Sequence, residues 1–297
     1  MAKSTPSQPN SYEVAESSDT VVDNPWQSLR DFTSARIALG RCGNSIPTKQ
    51  LLAFQLDHAQ AMDAVHCPLD DGKLLDALLQ DPVIANATLS EPLVVESRVT
   101  DRLMYLQRPD LGRQLNEASW QQLTQVAAQY RRSPDLAIVI ADGLSSVAIA
   151  DHALPFLQRL IQTLTTDQTT PWQLAPITIV KQGRVAVGDD VAECLKAKMV
   201  LVLIGERPGL SSPDSMGLYL TWGAKRGFKD SQRNCISNIR PEGLNYDDAC
   251  QRAMYLLLEA RKLSLSGIHL KDRSVMSEES ESHLDDKEKG NFLISPQ

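Results

Sequence analysis

Beyond Ser133-Pro134 the chain alternates short, wholly apolar runs with longer segments of helical period, and this alternation restricts its fold more than any other feature. Leu136-Ala137-Ile138-Val139-Ile140-Ala141 is continuously apolar and ends at Asp142-Gly143, as expected for a strand buried on both faces. Met199 to Ile204 reads the same way and stops at Gly205, and Ile177–Val180 and Cys235–Ile239 read as shorter strands. Between them lie three helical patterns. Ser146 to about Thr165 carries Val147, Ile149, Ala150, Leu154, Leu157, Leu160 and Ile161 along one face, with Pro155 either bending the helix or marking its true start. Asp190–Ala197 is the second helix, and Tyr246 to Leu265 the third, stopped by Gly267. A strand that returns parallel to its neighbour needs a crossover, usually a helix, so the pattern predicts an α/β fold. Its centre is an open, mainly parallel sheet with helices on both faces.

The preceding part, residues 25–133, has a different character. Leu51, Leu52, Phe54, Leu56 and Ala59, then Leu74, Leu75, Leu78 and Leu79, recur at helical spacing, with Pro47-Thr48 as a start and Asp81-Pro82 as a stop. A further helix is predicted from about Leu111 to Arg131. This region is expected to be mainly helix and connector. Residues 1–24, rich in Ser, Pro, Thr and Asn, are predicted to form a mobile arm, and residues 271–297 an acidic, disordered tail. From Ser274 onward that tail holds six acids (Glu278, Glu279, Glu281, Asp285, Asp286 and Glu288) against Lys287 and Lys289.

Charge and cysteine usage narrow the function classes. With 37 acidic and 30 basic side chains the net charge is −7, which argues against a general nucleic-acid binder. The absence of a long apolar run argues against a membrane span, and the missing apolar segment near Met1 argues against export. Cys42, Cys67, Cys194, Cys235 and Cys250 form no C-x-x-C pair, so reduced thiols are expected and no zinc site.

Ligands of open parallel sheets bind outside the carboxyl ends of the strands. Three glycine-bearing or polar segments fall there: Ala141 to Ser146, Gly205 to Leu210, and Asn234 to Asn238, the last within its strand. Neither the dinucleotide fingerprint G-x-G-x-x-G nor the phosphate loop G-x-x-x-x-G-K-[ST] is present. Asp142, Ser145 and His152 could be imagined as a hydrolase set, although the G-x-S-x-G elbow is lacking. The alternative is a serine that caps a helix beside an uninvolved histidine. Glu206-Arg207 could hold amide and phosphate groups of a large ligand, or simply pair with neighbouring charges. Arg98, Arg102, Arg108 and Arg113, interleaved with Asp101 and Asp110, suggest an interface strip. A non-catalytic interaction scaffold therefore also remains open.

Taken together, "VTDRLMYLQRPDLGRQL", "AIVIADGLSSVAI", "GRVAVGDDV", "VLIGERPGLSSPDSMGLYLTW", "RNCISNIRPEGLNYDDA" and "SGIHL" resemble the small (light) subunit of ethanolamine ammonia-lyase, in order over residues 25 to 270. The resemblance implies part of an adenosylcobalamin-dependent lyase that converts ethanolamine to acetaldehyde and ammonia, inactive alone. It implies a TIM-barrel large subunit that performs the radical chemistry, several copies of each chain, and residues 25–133 in contact with that partner. Residues 134–270 would be a Rossmann-like cobalamin-binding domain. The family's cobalamin contacts, carried over, fall on Val185, Glu206 and Cys235, with no catalytic or metal-ligating residue in this chain. The D-x-H-x-x-G motif is missing, so the cofactor is expected to keep its own base on cobalt. The resemblance further implies the bacterial cytoplasm, with enclosure in a protein microcompartment in hosts that have one.

Overall fold

The computed structural model describes residues 21–33, 35–166 and 171–274, and the chain divides into two compact units between Ala59 and Gln60. Within the first unit, part of the expected arm is tied down. The N–H of Val22 donates to the Arg41 carbonyl at 2.7 Å, and Arg41 returns the bond at 2.9 Å. Asn24 then caps a short 3-10 helix, Pro25–Asp31. The remainder of the expected arm, residues 1–20, and the expected tail beyond Ser274 lie outside the described residues.

Eight α-helices are described: α1 Thr48–His66, which spans the division, α2 Asp71–Gln80, α3 Pro82–Ala87, α4 Arg102–Gln107, α5 Glu117–Ala127, α6 Ser146–Thr166, α7 Val187–Leu195 and α8 Tyr246–Leu263. Asp81 ends α2 and caps α3, its Oδ1 accepting the N–H groups of Val83 and Ile84. The helix expected over Leu111–Arg131 starts late: Leu111–Arg113 is a 3-10 turn, and Asn116 caps α5 by accepting the Ser119 N–H at 2.8 Å. Pro155 lies inside α6 rather than at its start. The last helix ends at Leu263, where Ser264 adopts a left-handed conformation ahead of Gly267.

The second unit is built on one six-stranded sheet: β1 Leu93–Glu96, β2 Leu136–Ala141, β3 Thr178–Lys181, β4 Met199–Gly205, β5 Met216–Trp222 and β6 Arg233–Ile239, in the order β1-β3-β2-β4-β5-β6. The pairings β1/β3, β3/β2 and β2/β4 are parallel, whereas β5 runs antiparallel to both β4 and β6. The sheet is thus mostly parallel, as expected, but mixed. Two strands were not anticipated: β1, inside the region read as helix and connector, and β5.

Alternation along β2 and β4 sorts their side chains onto two cores. Leu136, Ile138, Ile140, Leu201 and Leu203 pack with residues of α6 and α8, including Phe156, Leu157, Leu160 and Leu257. Ala137, Val139, Ala141, Val200 and Val202 pack with Leu123 of α5 and Val187, Val191 and Leu195 of α7. Helices cover both faces of the central strands, and that explains why β2 and β4 have no polar position. The chain leaves β2 toward β3 on one side and leaves β4 toward β5 on the other, so the connections diverge between the carboxyl ends of β2 and β4.

The segment that follows α8 is tied to the start of β6 and the end of β5 through side chains. Asn234 accepts the Gly267 N–H at 2.7 Å and donates to the carbonyls of Gly267 and Leu270, while Ser266 Oγ donates to the Gln232 carbonyl at 2.6 Å and accepts the Trp222 N–H.

Candidate functional site

At this divergence the chain makes two close approaches. A Cβ on Gly205 would stand 1.9 Å from the Ser145 carbonyl oxygen, and one on Gly143, whose φ is +64°, 2.2 Å from the Gly205 carbonyl. Only glycine fits at either point, so the loops after β2 and β4 lie against each other.

Asp142, the last word of the β2 run, locks this corner. Its Oδ1 accepts the N–H groups of Gly143 at 3.0 Å and Gly183 at 2.9 Å, and its Oδ2 lies 3.6 Å from Arg102 Nη1. Arg102 also donates to the carbonyls of Val65 and Gly143. The guanidinium groups of Arg102 and Arg184 lie over the Tyr105 ring, 4.6 Å and 4.0 Å from its centre. Burial raises the Asp142 carboxyl to about 6 even though Arg102 and the backbone donors pull it down. The sign follows directly. Between the ordinary carboxylate value of 3.8 and about 6 the folded chain holds a proton that the unfolded chain has lost, so this group's contribution to stability falls as pH rises. Relative to Asp142→Asn, wild type should lose up to about 1.4 kcal/mol of stability per pH unit across that window. Urea unfolding at a series of pH values checks this, and parallel curves would mean that Asp142 is ionised throughout.

Against this corner opens a cavity of about 670 Å³ lined, among others, by Tyr105, Arg113, Arg184, Glu206, Arg233 and Cys235. Val185, Glu206 and Cys235 all lie on its wall. Val185 belongs to the loop between β3 and α7, and Glu206 follows the last residue of β4. Cys235 departs from the expected arrangement at strand termini, since it is the third residue of β6 and opposes Tyr219 of β5. The cavity therefore wraps from the carboxyl edge onto one face of β5 and β6. A period of two puts Arg233, Cys235 and Ser237 on that face, and Cys235 Sγ lies 3.3 Å from Ser237 Oγ.

The polar groups on this wall are only partly satisfied. Glu206 Oε2 accepts from Ser215 Oγ at 2.5 Å and from the Asn238 N–H at 3.1 Å, while Oε1 takes no hydrogen bond among the described residues. Arg184 Nη2 donates to the Tyr105 carbonyl, but its Nε is buried with no hydrogen-bond partner among the described residues. Arg113 and Arg207 form no ion pair among the described residues, and the N–H groups of Val185 and Ala186, just ahead of α7, have no acceptor there. Burial raises the Tyr219 phenol, with the Cys235 thiol adding to it, so the hydroxyl stays protonated.

Two buried carboxylates in the first turn of α7 anchor the wall. Asp189 and Arg233 form a fork of two bonds at 2.5 and 2.7 Å, both side chains almost fully buried. Asp190 takes Arg226 at 2.9 and 2.5 Å and the Leu115 N–H at 2.9 Å, and Arg226 stacks on Trp120 at 4.3 Å. Sequence reasoning singled out neither pair, nor Tyr105 or Arg184, because the partners lie far apart in the chain. Of the four arginines in the suggested interface strip, Arg102 is drawn inside and Arg113 lines the cavity.

The hydrolase arrangement is absent. Ser145 Oγ donates to the Pro213 carbonyl at 2.7 Å and accepts the Ala148 N–H at the start of α6. His152 pairs instead with Tyr246 and Asp214, and Asp142 is committed to backbone amides and Arg102. No group of three or more metal-ligating side chains occurs among the described residues, and no described helix is long and apolar enough to cross a membrane.

The family model for ethanolamine ammonia-lyase light chain (EutC) matches residues 23–271. An ethanolamine ammonia-lyase small subunit from Pseudomonas aeruginosa is 50% identical over 278 residues, covering 93% of this chain and 97% of the relative. Small subunits from Pseudomonas fluorescens and Pseudomonas putida are 51% and 52% identical, each covering 92% of this chain and 96% of the relative. The name of these relatives itself implies a larger partner chain. With a matching model over most of its length and half its residues shared with these relatives, the chain belongs to the ethanolamine ammonia-lyase small-subunit family and is a subunit of an ammonia-lyase.

Proposed function

We propose that this chain, in complex with the family's large subunit, grips adenosylcobalamin in the cavity bounded by Val185, Glu206 and Cys235, within a Rossmann-like domain over residues 134–270, while residues 25–133 contact the partner. The observation that carries the reading is the convergence of these three residues on one cavity of about 670 Å³. Its donor set suits the cofactor, whose corrin rim bears neutral carboxamides and whose nucleotide tail bears one phosphodiester. Glu206 Oε1 accepts from a carboxamide N–H. Arg113, Arg184 and Arg207, with the free N–H groups before α7, favour the phosphodiester or carboxamide oxygens. Val185 and the small, polarizable Cys235 let a ring edge approach closely.

Pockets for small molecules run to roughly 300–1,000 Å³, and a corrin with its tail and adenosyl group needs more than this cavity encloses. A second surface must cover the remainder, which fits a subunit that does not work alone. When bound, the cofactor supplies a cobalt–carbon bond whose homolysis starts the radical chemistry. The residues here would exclude water from one side of it and fix its orientation. The carried-over contacts include no residue of this chain touching ethanolamine. Enclosure in a microcompartment belongs to the same reading, with the segment ahead of Val21 as its address.

Co-expression with a family large subunit, followed by an absorbance spectrum of the purified complex, tests the proposal. The expected result is a red complex that retains corrin, with neither chain retaining it alone. Cys235 is exposed, so Cys235→Trp should fold and assemble while crowding the cavity by about 1 kcal/mol, a roughly fivefold loss of cyanocobalamin affinity. A complex without corrin, or one indifferent to this substitution, would refute it.

A further inference from the structure

His152 and Asp214 fall outside the cavity, yet both are tied into its wall. His152 on α6 is buried; its Nδ1 lies 2.8 Å from the Tyr246 hydroxyl at the start of α8, and its Nε2 lies 3.4 Å from Asp214 Oδ2. The other oxygen of Asp214 lies 3.3 Å from Arg240 Nη1. Arg240 Nε donates to Asn238 Oδ1 at 3.1 Å, and the Asn238 N–H donates to Glu206 Oε2. Asn238 is left-handed, with φ at +61°, a conformation that asparagine adopts more readily than most residues. On its other side Asp214 is flanked by two pinned neighbours. The Pro213 carbonyl accepts from Ser145 Oγ, and Ser215 both donates its hydroxyl to Glu206 Oε2 and accepts the Glu206 N–H at 2.9 Å.

We propose that Asp214 is a positioning residue for Glu206: clamped by His152 from the helical layer and by Arg240 from the β6 side, it fixes both hydrogen bonds that hold the Glu206 carboxylate on the cavity wall. The two donors on Glu206 come from separate elements, the β4–β5 link and the end of β6, and Asp214 is the side chain that joins them. With Oε2 held by both, Oε1 is left as the acceptor for the ligand. The inference rests on Glu206 being a cobalamin contact, and it gives His152, which has no role in the reading above, a function through Asp214.

A double-mutant cycle on the reconstituted two-subunit complex tests it, with cyanocobalamin affinity read by absorbance, and assembly and thermal stability measured alongside. Asp214→Ala should weaken the corrin by about tenfold with the complex still assembled. Placed on Glu206→Ala, it should cost no more than about twofold further, because the group it positions is gone. Should Asp214→Ala fail to assemble, Arg240→Gln loosens the same carboxylate from the β6 side and takes its place, with about a threefold loss that also vanishes on Glu206→Ala. Losses that multiply in full across the cycle would make Asp214 merely structural and overturn the inference while leaving the Glu206 contact standing. An unchanged affinity in Glu206→Ala alone would instead overturn that contact and this inference with it.

Discussion

Arg233→Ala is expected to destabilise the chain by about 3–5 kcal/mol, the cost of leaving a buried carboxylate without its counter-charge. Arg233 and Asp189 are 2% and 1% exposed, and two parallel bonds join the guanidinium to the carboxylate. Arg233 also reaches Thr221 Oγ1 and the Phe228 carbonyl, so three elements lose a common anchor. Chemical denaturation should show the full loss in Arg233→Ala and a comparable one in Asp189→Ala. The joint replacement Asp189→Leu with Arg233→Met, which removes both charges and keeps the volume, should recover most of it. A single variant within about 1 kcal/mol of wild type would mean that the pair is solvated in solution.

Glu206→Ala should have the largest effect on cofactor binding. The carboxylate is held in place by Ser215 and Asn238 before any ligand arrives, so little ordering entropy opposes the contact. A hydrogen bond to a charged group contributes about 1.5–3 kcal/mol, so cyanocobalamin affinity should fall by about 10- to 150-fold. The KM for ethanolamine at saturating cofactor should barely move, because the substrate pocket is assigned to the partner. Isothermal titration on the complex separates the two effects. A raised KM with an unaltered corrin affinity would place Glu206 at the substrate instead.

How much of this was legible in the sequence depended on whether the physics was local. The runs that became β2 and β4 could be read because helices cover both faces there and every position is apolar. β1 escaped notice because four residues with mixed burial carry little periodicity, and its existence depends on pairing with β3, some 85 positions later. β5 follows a polar link and contains Gly217, and its reversed direction is a property of pairing that no local pattern encodes. In the candidate site, Glu206 and the segment around Cys235 could be singled out after the apolar runs, whereas Val185, and the role of all three as cofactor contacts, entered through family resemblance. Their neighbours Arg184 and Arg233 stood beside them in the same motifs but became meaningful only when Tyr105 and Asp189 were placed against them. The sequence pattern predicts a helix from Asp190, whereas α7 begins at Val187 and carries both Asp189 and Asp190 in its first turn. Adjacent positions on a helix face apart, and each carboxylate found a different arginine.

The segment after α8 has a consequence for how the sheet is completed. Gly267 and Leu270 supply the partners for the side-chain amide of Asn234, and Ser266 bridges Gln232 to Trp222. A chain shortened to the end of α8 would leave the Asn234 amide and the Trp222 N–H without these partners, at about 1–3 kcal/mol for each polar group stranded away from water. This corner of the fold is therefore finished only once synthesis has passed Leu270.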